Sequence, residues 1–214
     1  MKKIMTFLIF WTLLLPLPMY SQQQSVSSEK VNGHEYVDLG LSVKWATENV
    51  EGYFAWGEIE TKSNYKKSNS KTNKKEMTDI SGNEKYDAAR VLWGGNWRIP
   101  TKVEVQELLD ECTWMLEEEG YKVTGKNGNS IFFRLNDHSR YVIKGNSRYD
   151  NSWHRFWTST PTDLDKESAH ILLLNPERST PPDVNGFIII ARKKTKDIGS
   201  FERWAGCSIR PVIE

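Results

Sequence analysis

The side chains able to do chemistry in this chain are scattered rather than gathered into a recognisable set. Its four histidines are His34, His138, His154 and His170. None forms an HxxxH or HxxE pair, and no CxxC pair exists, so neither a zinc site nor an imidazole-based metal centre is expected. The set nearest to a metal site is Glu177, Asp183 and Asn185, hard oxygen donors in the loop "NPERSTPPDVN" that would have to converge on calcium. Glu58 and Glu60 alternate as a glycosidase carboxylate pair might be spaced on a strand, and Glu117-Glu118-Glu119 is a charge run. Both are expected to be solvated faces. There is no GxSxG elbow and no glycine-rich phosphate loop. The sequence therefore predicts no catalytic set, no metal and no cofactor. The best ligand-binding candidate is aromatic and polar: Tyr149, Asp150, Trp153 and His154, joined by Trp204 between Arg203 and Ala205. Exposed indoles and phenols stack on sugar rings or anchor protein interfaces. Trp157, inside "FWTST", is expected in the core.

Two cysteines, Cys112 and Cys207, complete the inventory. Cys112 falls on the apolar face of a helix with Leu108. Cys207 alternates with Ile209 in the closing segment, so both thiols are expected to face the core. Either one disulfide or two buried free thiols fits that placement.

The elements that must hold these residues are short. Residues 31–50 read as short strands around the Asn32-Gly33 turn, and 52–60, "GYFAWGEIE", as a further aromatic strand. Residues 62–83 hold five basic residues between 66 and 75 with almost nothing apolar, which predicts a solvated surface loop rather than a polyanion site. Thr101-Lys102-Val103-Glu104 is a capping box. After it Val105, Leu108, Leu109, Cys112 and Leu116 keep helical spacing up to Gly120, although Trp114 would then face the wrong side. Either the helix ends near Thr113 or another element covers that face. Residues 121–133 read as a hairpin turning at Asn127-Gly128. Strands are expected at 140–143, 155–159, 169–174, 186–191 and 206–213, with polar loops between them, "RKKTKDIGSFERWA" included. The fold class is α+β, with few helices and long loops.

The start of the chain reads differently. Lys2-Lys3, the apolar run from Ile4 to Leu17, prolines at 16 and 18 and the small Ser21 have the order of a secretory signal peptide over residues 1–21. The run is shorter than the ~20 residues needed to span a bilayer, and no later segment reaches that length. Residues 22–30 form a polar linker and 31–214 one domain. The formal net charge of the 214 residues is +1, and losing Lys2 and Lys3 would bring it to −1. Such a balance carries no footprint for nucleic acid or an anionic membrane.

The order of the segments "GHEYVDLGLSVKWATENV", "YFAWGEIETKSNY", "DAARVLWGGNWRIPTKVEVQELLDECTW", "GYKVTGKNGNSIFF", "FWTST" and "GCSIRPV" resembles the Fibrobacter succinogenes major paralogous domain family of exported Bacteroidetes-type proteins. That resemblance implies a C-type-lectin-like fold: short, mostly antiparallel strands, one main amphipathic helix and long loops. It also implies that the Gly94-Gly95 pair turns the chain, that its flanking tryptophans bury against the sheet, and that the helical layer lies near the terminal strand. The Trp97–Thr101 segment is similar to the formylglycine-generating enzyme branch of that fold, whose copper-binding cysteine pair Cys112 and Cys207 do not match. Calcium-dependent lectins resemble one another in a Glu-Pro-Asn or Gln-Pro-Asp loop. Here Asn175-Pro176-Glu177 and Pro182-Asp183 match neither in order. Three departures stand out: Glu48 where many members have cysteine, only Glu51-Gly52 before "YFAWGE", and Ile- and Lys-rich stretches where a Tyr-rich run is usual. The expected function is an exported, noncatalytic ligand-binding module with a glycan or protein ligand, placed in the periplasm, on the cell surface or in the medium. The alternative is a structural or accessory module of a surface assembly, ahead of a formylglycine-generating-type or other enzyme.

Overall fold

The computed structural model describes residues 29–135, 154–175 and 196–214. The predicted leader, the expected strands at 140–143 and 186–191, and the candidates Tyr149, Asp150, Trp153, Glu177, Asp183 and Asn185 lie outside the described residues.

Among the described residues, ten strands form three antiparallel sheets, and two α-helices with one short 3-10 helix at Lys67–Asn69 complete an α+β fold. The first sheet has β1 (Glu29–Val31), β2 (His34–Val37), β3 (Lys44–Ala46) and, closing its edge, β10 (Val212–Ile213). Asn32 and Gly33, at φ 50° and 85°, turn β1 into β2, the left-handed pair that a two-residue hairpin demands. The next elements are α1 (Ala88–Trp93) and α2 (Lys102–Glu111). The second sheet is the meander β4 (Thr113–Glu117), β5 (Gly120–Thr124) and β6 (Ser130–Arg134). The third is β7 (His154–Pro161), β8 (Ser168–Leu174) and β9 (Lys196–Glu202).

Four expectations change. Helix α2 stops at Glu111, and Trp114 enters β4, where it pairs with Val123. The helical spacing continues to Leu116, but residues 113–117 pair in full antiparallel register with β5, and Leu116 is left exposed. Residues 52–60 form no strand. Phe54 makes a single bridge to Cys207 while Phe54, Ala55 and Trp56 are buried. Conversely β9 occupies part of the Lys-rich stretch read as loop, because β8 supplies a complete antiparallel partner from Ser168 to Leu174. In the 120–134 hairpin the turn is also wider than expected. Only Gly128 has positive φ, and the loop closes through Gly128 N–H to Gly125 O and Gly125 N–H to Asn129 O.

The tryptophans are mostly core. Trp45, Trp56, Trp97 and Trp157 are essentially fully buried. Each such indole removes roughly 150–250 Å² from water, about 4–6 kcal/mol at ~25 cal/mol/Å² before conformational entropy is subtracted. Three of them also fasten backbone. Trp56 Nε1 donates to Thr158 O at 2.9 Å, Trp157 Nε1 to Phe54 O at 2.7 Å and Trp97 Nε1 to Val31 O at 3.0 Å. The main core cluster lies between α2, the second sheet and the inner faces of β3, β7, β8 and β10. A second cluster packs Phe54, Trp56, Trp157 and Ile209 beneath the irregular segment and α1. No helix among the described residues is long and apolar enough to cross a membrane.

Candidate functional site

Between β3 and the buried Phe54 the chain runs as an extended, irregular segment, Thr47 to Tyr53. It is held beside the closing segment by backbone bonds: Ala46 N–H to Pro211 O, Val50 N–H to Ile209 O, and reciprocal bonds between Phe54 and Cys207, all 2.9–3.0 Å. Val50 points into the core, and Glu48 and Glu51 stay exposed. Gly52, at φ 100°, makes the turn, and a Cβ there would lie 2.6 Å from the Thr61 methyl carbon. A side chain at 52 would therefore meet both backbone strain and a clash.

Arg210 forms the floor. It is 3% exposed, yet its guanidinium donates to Asn49 Oδ1 at 2.6 Å, to Ala46 O and Thr47 O at 3.1 and 2.8 Å, and to Phe132 O at 3.2 Å. The same group lies over the Phe133 ring, 4.5 Å from its centroid. One planar cation thus ties the 46–49 segment to β6, which suits the fixed fork of arginine. Above it opens a cleft of about 460 Å³. Thr47, Glu48, Glu51, Tyr53, Phe132 and Arg134 line its walls. The volume lies within the range of small-ligand sites, and the lining combines half-buried aromatic rings with carboxylates, an amide and a cation.

The residues singled out by sequence are placed elsewhere. His154 is 2% exposed in β7, paired in register with Leu174, so it belongs to the sheet interior rather than to an exposed aromatic surface. Trp204 is 8% exposed. It is covered because its turn is drawn inward: Arg203 stacks on Trp56 at 4.5 Å and donates to Ser168 O and Lys75 O, while Gly206 abuts the Tyr65 ring. Cys112 and Cys207 are free thiols, both buried, and they belong to different core clusters. Burial pushes both thiols above their ordinary pKa, Cys207 furthest. Glu58 is buried, not solvated. It accepts from Lys71 N–H at 2.7 Å and pairs with Lys62 at 2.5 Å, while Glu60 pairs at the surface with Lys71. The basic run is partly neutralised too, since Lys67 and Lys74 both reach Glu167. Among the described residues no three His, Cys, Asp or Glu side chains gather to hold a metal ion.

Sequence reasoning missed the cleft, although it noted Glu48, Glu51 and Gly52 as unusual. One further signal was present: an arginine inside the apolar closing stretch "CSIRPVI", a position where a cation needs a dedicated set of acceptors. Comparison with family models, with curated proteins and with solved structures found no match to this chain.

Proposed function

We propose that this chain is an exported, noncatalytic ligand-binding module, a C-type-lectin-like member of the Fibrobacter succinogenes major paralogous domain family. The cleft above Arg210 is where its glycan or protein ligand sits. The observation that carries this reading is the cleft's construction. Its walls come from three separate parts of the chain, and a buried guanidinium with four acceptors holds them in place before any ligand arrives. A preorganised site loses less entropy on binding. The export part rests on the order of residues 1–21.

The test is to screen the secreted chain, whose N-terminus is expected at or near Gln22, against glycan and surface-protein arrays, with Phe132→Ala and Glu48→Lys alongside. A ligand is expected that wild type retains and both variants lose. Binding that neither substitution alters would remove the cleft from the reading.

A structural role in a surface assembly is favoured by one observation, the exposed Met115 (56%) and Leu116 (42%) on β4, an edge strand of its sheet. Empty arrays together with partners crosslinked through β4 would favour that role. The formylglycine-generating reading has least support, because its paired cysteines have no counterpart in two thiols held in different clusters.

A further inference from the structure

A second cavity, of about 180 Å³, adjoins the cleft and shares Thr47 and Glu48 with it. Lys30, His34, Glu35 and Trp93 line it. The His34 ring lies flat on Trp93, with centroids 3.7 Å apart and planes within 5°, and Trp97 meets Trp93 edge-on at 5.1 Å. By itself this cavity is below the ~300–1,000 Å³ typical of a small-ligand site. Glu48 contributes to the lining of both cavities.

We infer that the two cavities form one tract for a neutral or amine-bearing oligosaccharide, one sugar unit meeting Phe132 and Tyr53 and another meeting the His34–Trp93 stack. This deepens the proposed function and rests on it. Three observations select the ligand class. Aromatic side chains stand in both cavities, and such rings pack against the apolar faces of sugar rings while their polar neighbours take the hydroxyls. Charge disfavours an anionic ligand. Lys30 is paired with Glu35 at 2.9 Å, Arg134 with Glu119 at 3.2 Å, and the guanidinium of Arg210 is turned to its protein acceptors. Glu48 and Glu51 have no ion-pair partner among the described residues, so the tract offers carboxylates to hydroxyl or ammonium donors. Finally, an extended peptide would need main-chain donors along the tract. The N–H groups of Ala46, Thr47 and Val50 are already bonded to Pro211 O, Glu35 O and Ile209 O.

The experiment is calorimetric titration of the mature chain with oligomers of glucose, glucosamine and galacturonic acid, from monomer to hexamer. Affinity for the glucose or glucosamine series should rise about tenfold or more from monomer to trimer, as the second contact becomes intramolecular. Galacturonate oligomers should bind far more weakly. His34→Ala should abolish the gain with length, and Glu48→Lys should reverse the preference against galacturonate. Thermal melts of both variants, expected to match wild type, separate binding effects from unfolding. Affinity independent of length, equal binding of the galacturonate series, or a His34→Ala variant that keeps the length gain would each overturn the tract. If no oligomer binds, the tract fails, while the ligand-binding reading stands wherever a protein ligand is retained by wild type and lost by Phe132→Ala.

Discussion

Two buried arginines do in this molecule what longer strands do in others. Arg203 and Arg210 each fasten irregular backbone to a sheet through carbonyl acceptors, and each guanidinium sits over an aromatic ring. Burial lowers the pKa of Arg203, a sign that solvation has been given up for these contacts. Truncating such a group leaves several carbonyls buried without donors, and each orphan is costly. Arg210→Ala should therefore lose about 3 kcal/mol in urea unfolding, from lost charged hydrogen bonds and orphaned carbonyls. Arg210→Lys should recover only part, because an ammonium cannot span Asn49, Thr47 and Phe132 together. An unchanged unfolding midpoint for Arg210→Ala would show that the floor of the cleft is not held as described.

At the scale of elements, the start of α2 concentrates charge. Thr101 Oγ1 accepts from Glu104 N–H, and Glu104 Oε2 accepts from Thr101 N–H at 2.7 Å. Arg98 clasps the same carboxylate in a two-pronged contact at 2.9 and 2.6 Å. Burial pushes the Glu104 pKa up, but Arg98 and the Thr101 N–H outweigh it, and the carboxyl is held below its usual value. A depressed folded pKa gives stability that is fully present above the ordinary Glu value of about 4.3 and is lost as pH falls through the folded pKa. Asp87 runs the other way. Burial raises its pKa despite N–H bonds from Ile99, Gly82 and Arg90, so its contribution grows in acid. Glu104→Gln isolates the first effect. Glutamine keeps the cap but not the ion pair, so it should cost about 1–2 kcal/mol at neutral pH. It should also flatten the decline in stability as pH falls below about 4.3, read from urea midpoints. An equally steep decline in the variant would place the acid sensitivity elsewhere.

Across the whole molecule, the core is divided, and the thiols report the division. Cys112 packs with α2 and the second sheet, whereas Cys207 lies among Phe54, Trp157 and Ile209. With their pKa values raised by burial, neither thiol is poised as a thiolate. Alkylation without reductant should label neither cysteine in the native protein and both after denaturation, with peptide mapping as the readout. A peptide joining 112 to 207 would overturn the free-thiol state.

Local chemistry was readable wherever a short segment settles its own backbone. Asn32-Gly33 supplies its own left-handed turn, Thr101 and Glu104 cap each other, and the strands expected at 155–159 and 169–174 lie within β7 and β8. What the sequence could not decide depends on partners far along the chain. Residues 113–117 leave the helical pattern because β5 offers a ladder, 196–202 become a strand because β8 does, and 52–60 remain irregular because Trp157, Arg203 and Cys207 hold them one contact at a time. The cleft is the extreme case. Thr47–Tyr53, Phe132–Arg134 and Ser208–Arg210 carry no shared local pattern, and they become a site only when the closing segment brings Arg210 under all of them. Sequence alone determined the capped helix, the Asn32-Gly33 turn and an α+β composition of short strands. Tertiary structure decided where strands end, which aromatics are buried and where a cleft can form, because those outcomes rest on long-range hydrogen bonds and desolvation that no local window contains.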